Sequence, residues 1–148
     1  MPSVVSRPQM PGSIETSDPS HGKPPTGDGW AHEVKWDSYR GQAHRRNRSV
    51  KISTRRGNDW SKTFALVAEA LSWPRAEDAI VDGEVVALTG GLPDLRKLRR
   101  QLGEPSPDIV YQVFDLLWHD GEDLRSEHYV VRRNRLREPI DKGGAQLQ

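Results

Sequence analysis

Residues 79–88, with the sequence AIVDGEVVAL, are the stretch that decides which fold this chain can adopt. Apart from two acids the stretch is apolar or glycine, and it is rich in the valine and isoleucine that favour strands. Gly83 stands in its middle, where a glycine predicts a bulge or a close approach of another backbone. We therefore expect a strand with an irregularity at its centre.

Three more segments have the composition of strands. In residues 30–37 bulky side chains alternate with polar ones, a period of two that places the rings on one face. Residues 49–54 place two β-branched residues on one face, and residues 109–117 are apolar and β-branched enough for a central strand. The first two of these segments can pair as a hairpin across residues 41–48.

The spacing of apolar residues indicates three helices. Residues 60–73 have an apolar face at helical spacing, with Asp59 or Ser61 as the N-cap. Asp94 caps a predicted short helix, and a weaker helix over residues 129–138 ends before a proline. Together with the strands, the order β-β-α-β-α-β-α indicates an α+β or α/β sheet packed by helices.

Composition limits the size of the core and excludes several kinds of site. The chain has 148 residues and a mass of 16.7 kDa, which is one ordinary domain, but its mean hydropathy is −0.79. It has no cysteine, so a disulfide scaffold, a thiolate zinc site and a cysteine nucleophile are excluded. No apolar run approaches the ~20 residues of a membrane span, and the start lacks a secretory signal, which favours an intracellular protein.

The chain divides into three segments. Residues 1–28 hold six of the 11 prolines and few large apolar residues, a composition that predicts disorder. Residues 29–140 hold all the predicted helices and strands. Residues 141–148 are expected to be a frayed tail.

Positive charge is concentrated in patches although the formal net charge is only +1. Residues 40–56 contain seven Lys or Arg residues and no acid, and further basic clusters stand at 96–100 and 132–137. Such patches attract phosphates at low salt. Charge alone leaves two interpretations equally open, contact with nucleic acid or a solvated surface.

Lys35 is the first candidate for chemistry. Burial among the tryptophans of its predicted strand, together with a nearby cation such as Arg40 or a metal, favours an uncharged amine that can act as a nucleophile. The alternative is a surface lysine on the polar face of an edge strand.

Two acids and one aromatic ring are the other candidates. Asp82 and Glu84 are two apart in a strand and point to the same side, where they can hold Mg²⁺ or bind a ribose. The alternative for these acids is a turn exposed to solvent. Phe114 alternates away from Asp115 and can stack on a base, whereas by itself it fits a core phenylalanine beside a capping aspartate.

Together these motifs resemble the adenylation domain of ATP-dependent DNA ligases, most closely the bacterial type that works in non-homologous end joining. The similarity covers roughly residues 24–138, with the motifs in the family's order and spacing. The stretches that carry it are 27–30, 33–40, 54–60, 81–86 and 113–125. The resemblance implies an α+β nucleotidyltransferase fold of the ATP-grasp-like ligase type, with a mostly antiparallel sheet packed by helices.

The resemblance also implies roles for individual residues in binding ATP. Lys35 stands where the family's lysine attacks the α-phosphate of ATP and becomes linked to AMP. Glu33 and Phe114 match positions that contact adenine and stack on it, and Arg40 matches an arginine near the sugar and phosphates. Glu84 matches an acid that reads the ribose or supports a metal ion, Mg²⁺ or Mn²⁺.

DNA is the second partner that the resemblance implies, as a nicked or broken duplex. Arg55 matches an arginine that contacts AMP or the DNA 5′-phosphate. The basic residues expected to contact duplex phosphates are Arg45, Arg46, Arg48 and Arg56. The family activity is self-adenylation of the lysine, transfer of AMP to DNA and strand joining in repair and recombination. The resemblance further implies a Ku-type end-binding partner, no membrane, and a place in the bacterial cytoplasm at the nucleoid.

Two departures from the family's pattern bear on activity. Ser38 stands where the family has a glycine, and a serine costs on the order of 1 kcal/mol if that bend needs positive φ. After Asp115 the sequence has no Glu-Gly motif and a single lysine, Lys142, so the family's second acid and its later lysine pair are missing. We therefore expect the front part of an adenylation domain, impaired alone unless a second polypeptide completes it.

Two alternatives stand beside the ligase. A non-catalytic remnant that holds DNA or a protein partner would bind through its basic faces and form no adenylate. Another lysine nucleotidyltransferase, such as an RNA ligase or a capping enzyme, would act on RNA ends in place of DNA ends.

Overall fold

One antiparallel sheet and three helices make up the part of the chain that the structure describes. This computed structural model describes residues 6–36, 38–71, 76–141 and 148. In chain order the elements are β1 (Tyr39–Arg46), β2 (Ser49–Thr54), α1 (Ala65–Ala70), β3 (Asp78–Thr89), β4 (Leu92–Pro93), α2 (Leu95–Arg100), β5 (Ile109–His119), β6 (Glu122–Asp123) and α3 (Tyr129–Asp141). The strand order is β2-β1-β3-β5-β6, with β4 paired to the end of β3. The predicted α+β fold, a mostly antiparallel sheet packed by helices, is confirmed.

β3 is the central strand of the sheet, and Gly83 is its irregular point. The two long neighbours, β1 and β5, pair with β3 over most of its length. The register against β5 shifts between Asp82 and Gly83. A Cβ added at Gly83 would lie 2.5 Å from the backbone oxygen of Gln112 and 2.8 Å from the ring of Tyr111. The predicted irregularity at this glycine is therefore confirmed, as a bulge and as a close backbone approach.

The first strand lies downstream of its predicted position. Residues 30–36 belong to no strand, and Trp30 and Val34 are 61% and 68% exposed, so the strand predicted over residues 30–37 is wrong. β1 instead occupies the arginine-rich stretch that was expected to connect a hairpin. Pairing with both β2 and β3 stabilises this strand, and a period of two in the sequence does not reveal such pairing.

The three helices are confirmed in place, but two differ in length from the prediction. α2 begins as predicted, with the Asp94 carboxylate accepting a hydrogen bond of 2.9 Å from a first-turn amide. α1 begins only at Ala65, because the Asp59 carboxylate binds the amide and hydroxyl of Ser61 and closes a separate turn before it. α3 runs to Asp141, past the proline before which the prediction ends it.

The face of the sheet that the helices cover holds the main core. Its strands contribute Ala43, Val81, Val85 and Leu116, and each helix adds a buried apolar residue. Tyr111 is fully buried there, and its hydroxyl donates a hydrogen bond of 2.7 Å to the backbone oxygen of Gly41. No helix among the described residues is long and apolar enough to cross a membrane.

Residues 6–28, here named the N-terminal segment, contain no helix or strand but contact the opposite face of the sheet. Met10 is buried and packs with Ile14 against a small apolar cluster on β3 and β5. The backbone of Ile14 exchanges two hydrogen bonds with the side chain of Gln42 on β1. Side-chain contacts therefore hold part of a segment for which the sequence predicts disorder.

Some sequence predictions fall outside the described residues, namely those for Asp37, for the end of the first helix at residues 72–73 and for tail residues 142–147. Gln148, at the end of that tail, exchanges backbone hydrogen bonds with β5. It donates to the oxygen of Tyr111 at 3.1 Å and accepts from the amide of Val113 at 2.9 Å. The frayed tail stays a prediction.

Candidate functional site

The face of the sheet opposite the helices, here named the polar face, is formed by Ser38, Arg40 and Gln42 beside Asp82 and Glu84. β1 and β3 pair so that Arg40 lies opposite Glu84 and Gln42 lies opposite Asp82. Because residues two apart in a strand share a face, this register brings the polar side chains of both strands together.

Arg40 and Asp82 form an ion pair at the centre of the polar face. Nη2 of Arg40 lies 2.9 Å from Oδ2 of Asp82, and Nε lies 3.3 Å from Oδ1. Burial raises the pKa of Asp82, which is only 4% exposed, while the hydrogen bonds from Arg40 oppose that rise. Burial also disfavours the charge of Arg40, but the hydrogen bond and charge of Asp82 outweigh it and raise the pKa of Arg40. Arg40 is thus a cation held in one orientation.

Ser38 and Glu84 form the second pair on the polar face. The Ser38 hydroxyl donates a hydrogen bond to the Glu84 carboxylate. Among the described non-glycine residues, positive φ is found at Asn47 and Asp120. The cost of a serine at a positive-φ bend stays a prediction, because the φ angle of Ser38 involves Asp37, which lies outside the described residues.

A cavity of about 390 Å³, here named the first cavity, opens beside Phe114. Glu33 and Trp36 line it from the segment that precedes β1, and residues of α3 line the opposite wall. The guanidinium carbon of Arg40 lies 5.4 Å from the centroid of the Phe114 ring, which sets a cation against the ring. The volume lies in the range of small-molecule sites. Folding therefore brings Glu33, Arg40 and Phe114 to one place.

Lys35 lies in the segment that lines the first cavity, and its environment differs from the prediction. The side chain is exposed and the residue belongs to no strand. Burial among tryptophans is therefore not the means by which its ammonium group would lose a proton. A neighbouring cation is the other means of favouring the neutral amine.

Arg55 and Arg56, in the turn that follows β2, line a second cavity of about 470 Å³. Arg40 and residues 12–16 of the N-terminal segment form other parts of its wall. Arg55 also forms an ion pair with Asp18 of that segment. The second cavity thus brings together two arginines that the sequence assigns to nucleotide or DNA phosphates.

The four arginines predicted to contact duplex phosphates, Arg56 among them, do not form one surface. Arg45 and Arg46 are neighbours in a strand, so they point to opposite faces. Arg45 donates to a backbone oxygen at the end of α1, and Arg46 donates to one in the N-terminal segment. Arg48 is exposed at the turn between β1 and β2, whereas Arg56 lines the second cavity.

A metal ion would find few protein ligands on the polar face. The described residues contain no group of three or more His, Cys, Asp or Glu side chains that could hold one. Arg40 engages Asp82, and Arg132 engages Asp115, which lies opposite Asp82 in the sheet, so the carboxylate of Glu84 is left. A single carboxylate suits Mg²⁺ when phosphates and water complete the coordination.

Sequence reasoning missed Tyr129 and Arg133 of α3. The Tyr129 hydroxyl and Nη1 of Arg133 both donate to Oε1 of Glu33, the latter over 2.6 Å. Arg133 also lines the first cavity together with Arg137. The available signal was the basic cluster at residues 132–137, which by charge alone indicates only a patch.

Comparison with known proteins extends these observations to a family. The model of the ATP dependent DNA ligase domain matches residues 22–148. The multifunctional non-homologous end joining protein LigD of Pseudomonas aeruginosa is 37% identical over 116 residues, which cover 77% of this chain and 14% of that protein. A DNA ligase of Pyrobaculum calidifontis is 37% identical over 124 residues, which cover 76% of this chain and 21% of that protein.

Solved structures share the fold over part of their length. The ligase domain of LigD from M. tuberculosis matches with a TM-score of 0.65 and 26% identity, over 75% of this chain and 37% of that one. Mycobacterial DNA ligase D complexed with ATP and MES matches with a TM-score of 0.64 and 26% identity, over 75% of this chain and 36% of that one. This chain therefore spans much less than two thirds of each relative. Since the family model matches most of its residues, the chain belongs to the ATP-dependent DNA ligase domain family.

Proposed function

We propose that this chain is the nucleotide-binding part of an ATP-dependent DNA ligase and that Lys35 accepts AMP from ATP. The observation that carries the proposal is the first cavity, where Glu33 and Phe114 meet beside the segment that bears Lys35. Arg40, set against the Phe114 ring, joins this cavity to the polar face. A ring for the base and a fixed cation, beside the segment that bears Lys35, match part of what adenylation by ATP requires.

The first step of the proposed reaction joins Lys35 to the α-phosphorus of ATP. The neutral amine attacks phosphorus with its lone pair, and a nitrogen–phosphorus bond forms. The bond from the α-phosphorus to the bridging oxygen breaks, pyrophosphate leaves with that electron pair, and the amine proton passes to water. Arg40 is assigned to offset the negative charge that develops on the phosphate oxygens. AMP then passes to a DNA 5′-phosphate, and a 3′-hydroxyl displaces it to join the strand.

Glu84 is assigned to the ribose or to a metal ion, Mg²⁺ or Mn²⁺. Its carboxylate is the acid on the polar face that Arg40 does not bind. The metal would neutralise charge on the phosphates of ATP, and those phosphates with water would supply its other ligands.

Nicked or broken duplex DNA is the proposed second substrate. Arg55 and Arg56 are assigned to its phosphates, because both line the second cavity beside Arg40. The end-joining name of the Pseudomonas relative supports a Ku-type partner, inside the cell at the nucleoid. Because this chain spans only part of each relative, sealing of DNA is proposed to need further ligase sequence, in this polypeptide or in a second one.

Intact-mass analysis after incubation with ATP and Mg²⁺ tests the proposal. The chain should gain one AMP, Lys35→Ala should gain none, and the exposed control Lys62→Ala should react like the parent chain. If the folded parent chain gains no AMP, the adenylation proposal is wrong for this chain. A DNA affinity that falls steeply with salt would then favour a DNA-binding remnant.

A further inference from the structure

The segment that carries Lys35 is tied to a helix by one carboxylate. Oε1 of Glu33 accepts hydrogen bonds from the Tyr129 hydroxyl and from Nη1 of Arg133, which lies 2.6 Å away. Arg133 also lies 2.6 Å from the Tyr129 oxygen, so the three groups form a closed triangle. We propose that Tyr129 and Arg133 are positioning residues for Lys35, because they hold Glu33 and so fix the segment that presents the lysine.

The segment before β1 needs such a contact because the sheet does not hold it. Residues 30–36 belong to no strand, and the apolar side chains of Trp30 and Val34 are largely exposed. Only Val34 separates Glu33 from Lys35 in sequence, so the position of one limits the position of the other. A near-attack geometry tolerates little displacement, since an error of about 1 Å can cost about 100-fold in rate.

α3 is a firm anchor for this contact. Arg132, the neighbour of Arg133, binds the Asp115 carboxylate through two hydrogen bonds of 2.8 and 3.1 Å, and both side chains are less than a fifth exposed. Leu136 is buried in the main core on the next turn of the helix. Paired donors of this kind fix orientation as well as distance. The helix is thereby fastened to β5, the strand that carries Phe114.

The charges in the triangle suit a positioning role. Burial and the neighbouring Glu33 carboxylate raise the pKa of Tyr129, so its hydroxyl keeps the proton that it donates. Arg133 offsets the charge of Glu33 in the wall of the first cavity. The Glu33 carboxylate therefore does not present an unpaired negative charge to the phosphates of ATP.

Hydrogen exchange and adenylation kinetics test this inference, which rests on the proposed function for its link to Lys35. Arg133→Gln should speed amide exchange in residues 30–36 and slow AMP transfer at saturating ATP, each by about 5-fold, the equivalent of one exposed charge-assisted contact. Arg133→Lys should restore most of the protection from amide exchange and most of the AMP-transfer rate. Arg135→Gln is the matched control, because it removes an ion pair of the same helix to Glu122 and not to Glu33.

Tyr129→Phe separates positioning from binding. Tyr129 does not line the first cavity, so its loss should lower the saturating rate and leave the half-saturating ATP concentration unchanged. The inference would be overturned if Arg133→Gln and Tyr129→Phe showed the same amide exchange in residues 30–36 and the same AMP-transfer rate as Arg135→Gln. If the parent chain gains no AMP, the proposed function fails, and exchange in residues 30–36 still decides whether Tyr129 and Arg133 hold the segment.

Discussion

The two faces of one sheet differ in what holds them. On the helix-covered face, Ala43, Val81 and Leu116 are buried against residues of α1, α2 and α3. On the polar face, Arg40 and Asp82 from the same strands hold each other as ions. Neighbours in sequence thus lie in opposite environments, because successive side chains of a strand point to opposite sides.

The difference between the faces shows where stability and binding reside. Removing a large apolar side chain from water contributes about 1.5–3 kcal/mol, so the helix-covered face stabilises the fold. Taking Asp82 out of water costs free energy that its attraction to Arg40 only partly recovers. The polar face is therefore suited to holding a charged ligand in a defined orientation.

Truncation on each face should give the largest contrast. Leu116→Ala removes a fully buried side chain and should lower the free energy of unfolding by about 3 kcal/mol. Phe114→Ala, which removes the ring set against Arg40 of the polar face, should lower it by only about 1 kcal/mol and should abolish ATP binding. Urea denaturation and isothermal titration with ATP measure the two effects. A larger stability loss from Phe114→Ala would break the division between the faces.

The bulge at Gly83 links the two faces and should be the next most sensitive point. Gly83→Ala places a methyl group against the backbone oxygen of Gln112 and the ring of Tyr111, and it should lower the free energy of unfolding by about 2 kcal/mol. Gly29→Ala, whose added carbon meets nothing within 4 Å, is the control and should change it by less than about 0.5 kcal/mol. Equal urea midpoints for the two variants would contradict the close approach.

One hydrogen bond inside the helix-covered core sharpens the contrast further. Tyr111→Phe leaves the backbone oxygen of Gly41 without its buried donor and should lower the free energy of unfolding by about 1.5 kcal/mol. Tyr39→Phe keeps the edge-to-face ring contact with Trp60 and serves as the control. An unchanged stability in Tyr111→Phe would mean that this bond contributes nothing to the core.

The smallest expected effect is a pH dependence on the polar face. Burial, and then the charges of Lys51 and Arg46, lower the pKa of His44 below 6.5. The unfolded chain therefore protonates His44 at a higher pH than the folded chain does. Stability should fall as pH drops through about 6.5 toward the folded pKa. His44→Gln should flatten this part of the profile in urea titrations between about pH 8 and pH 5. Stability that rises on acidification over this range would contradict the assignment.

The sequence pattern correctly predicted the elements whose residue composition matches their place in the sheet. β3 and β5 were located to within two residues at each end, because long apolar, β-branched runs are strands in most contexts. The N-cap of α2 was predicted equally well, because Asp94 accepts a hydrogen bond from an amide only three residues away. β1 was missed because its residues look like a charged surface. Its strand is stabilised by two partners, one of which lies some forty residues away in sequence.

The sequence by itself determined an α+β or α/β sheet packed by helices, the candidates Lys35, Arg40, Glu84 and Phe114, and the motifs that carry the resemblance to ATP-dependent DNA ligases. These properties depend on residue types and on short spacings along the chain, so they can be inferred without a structure. Only the tertiary structure decided which side chains meet. Contacts such as that of Glu33 with Arg133, 100 residues apart in sequence, depend on strand register and on the docking of α3 against β5. The periodicity of the sequence predicts neither the strand register nor the docking of α3, because both follow from packing between distant segments.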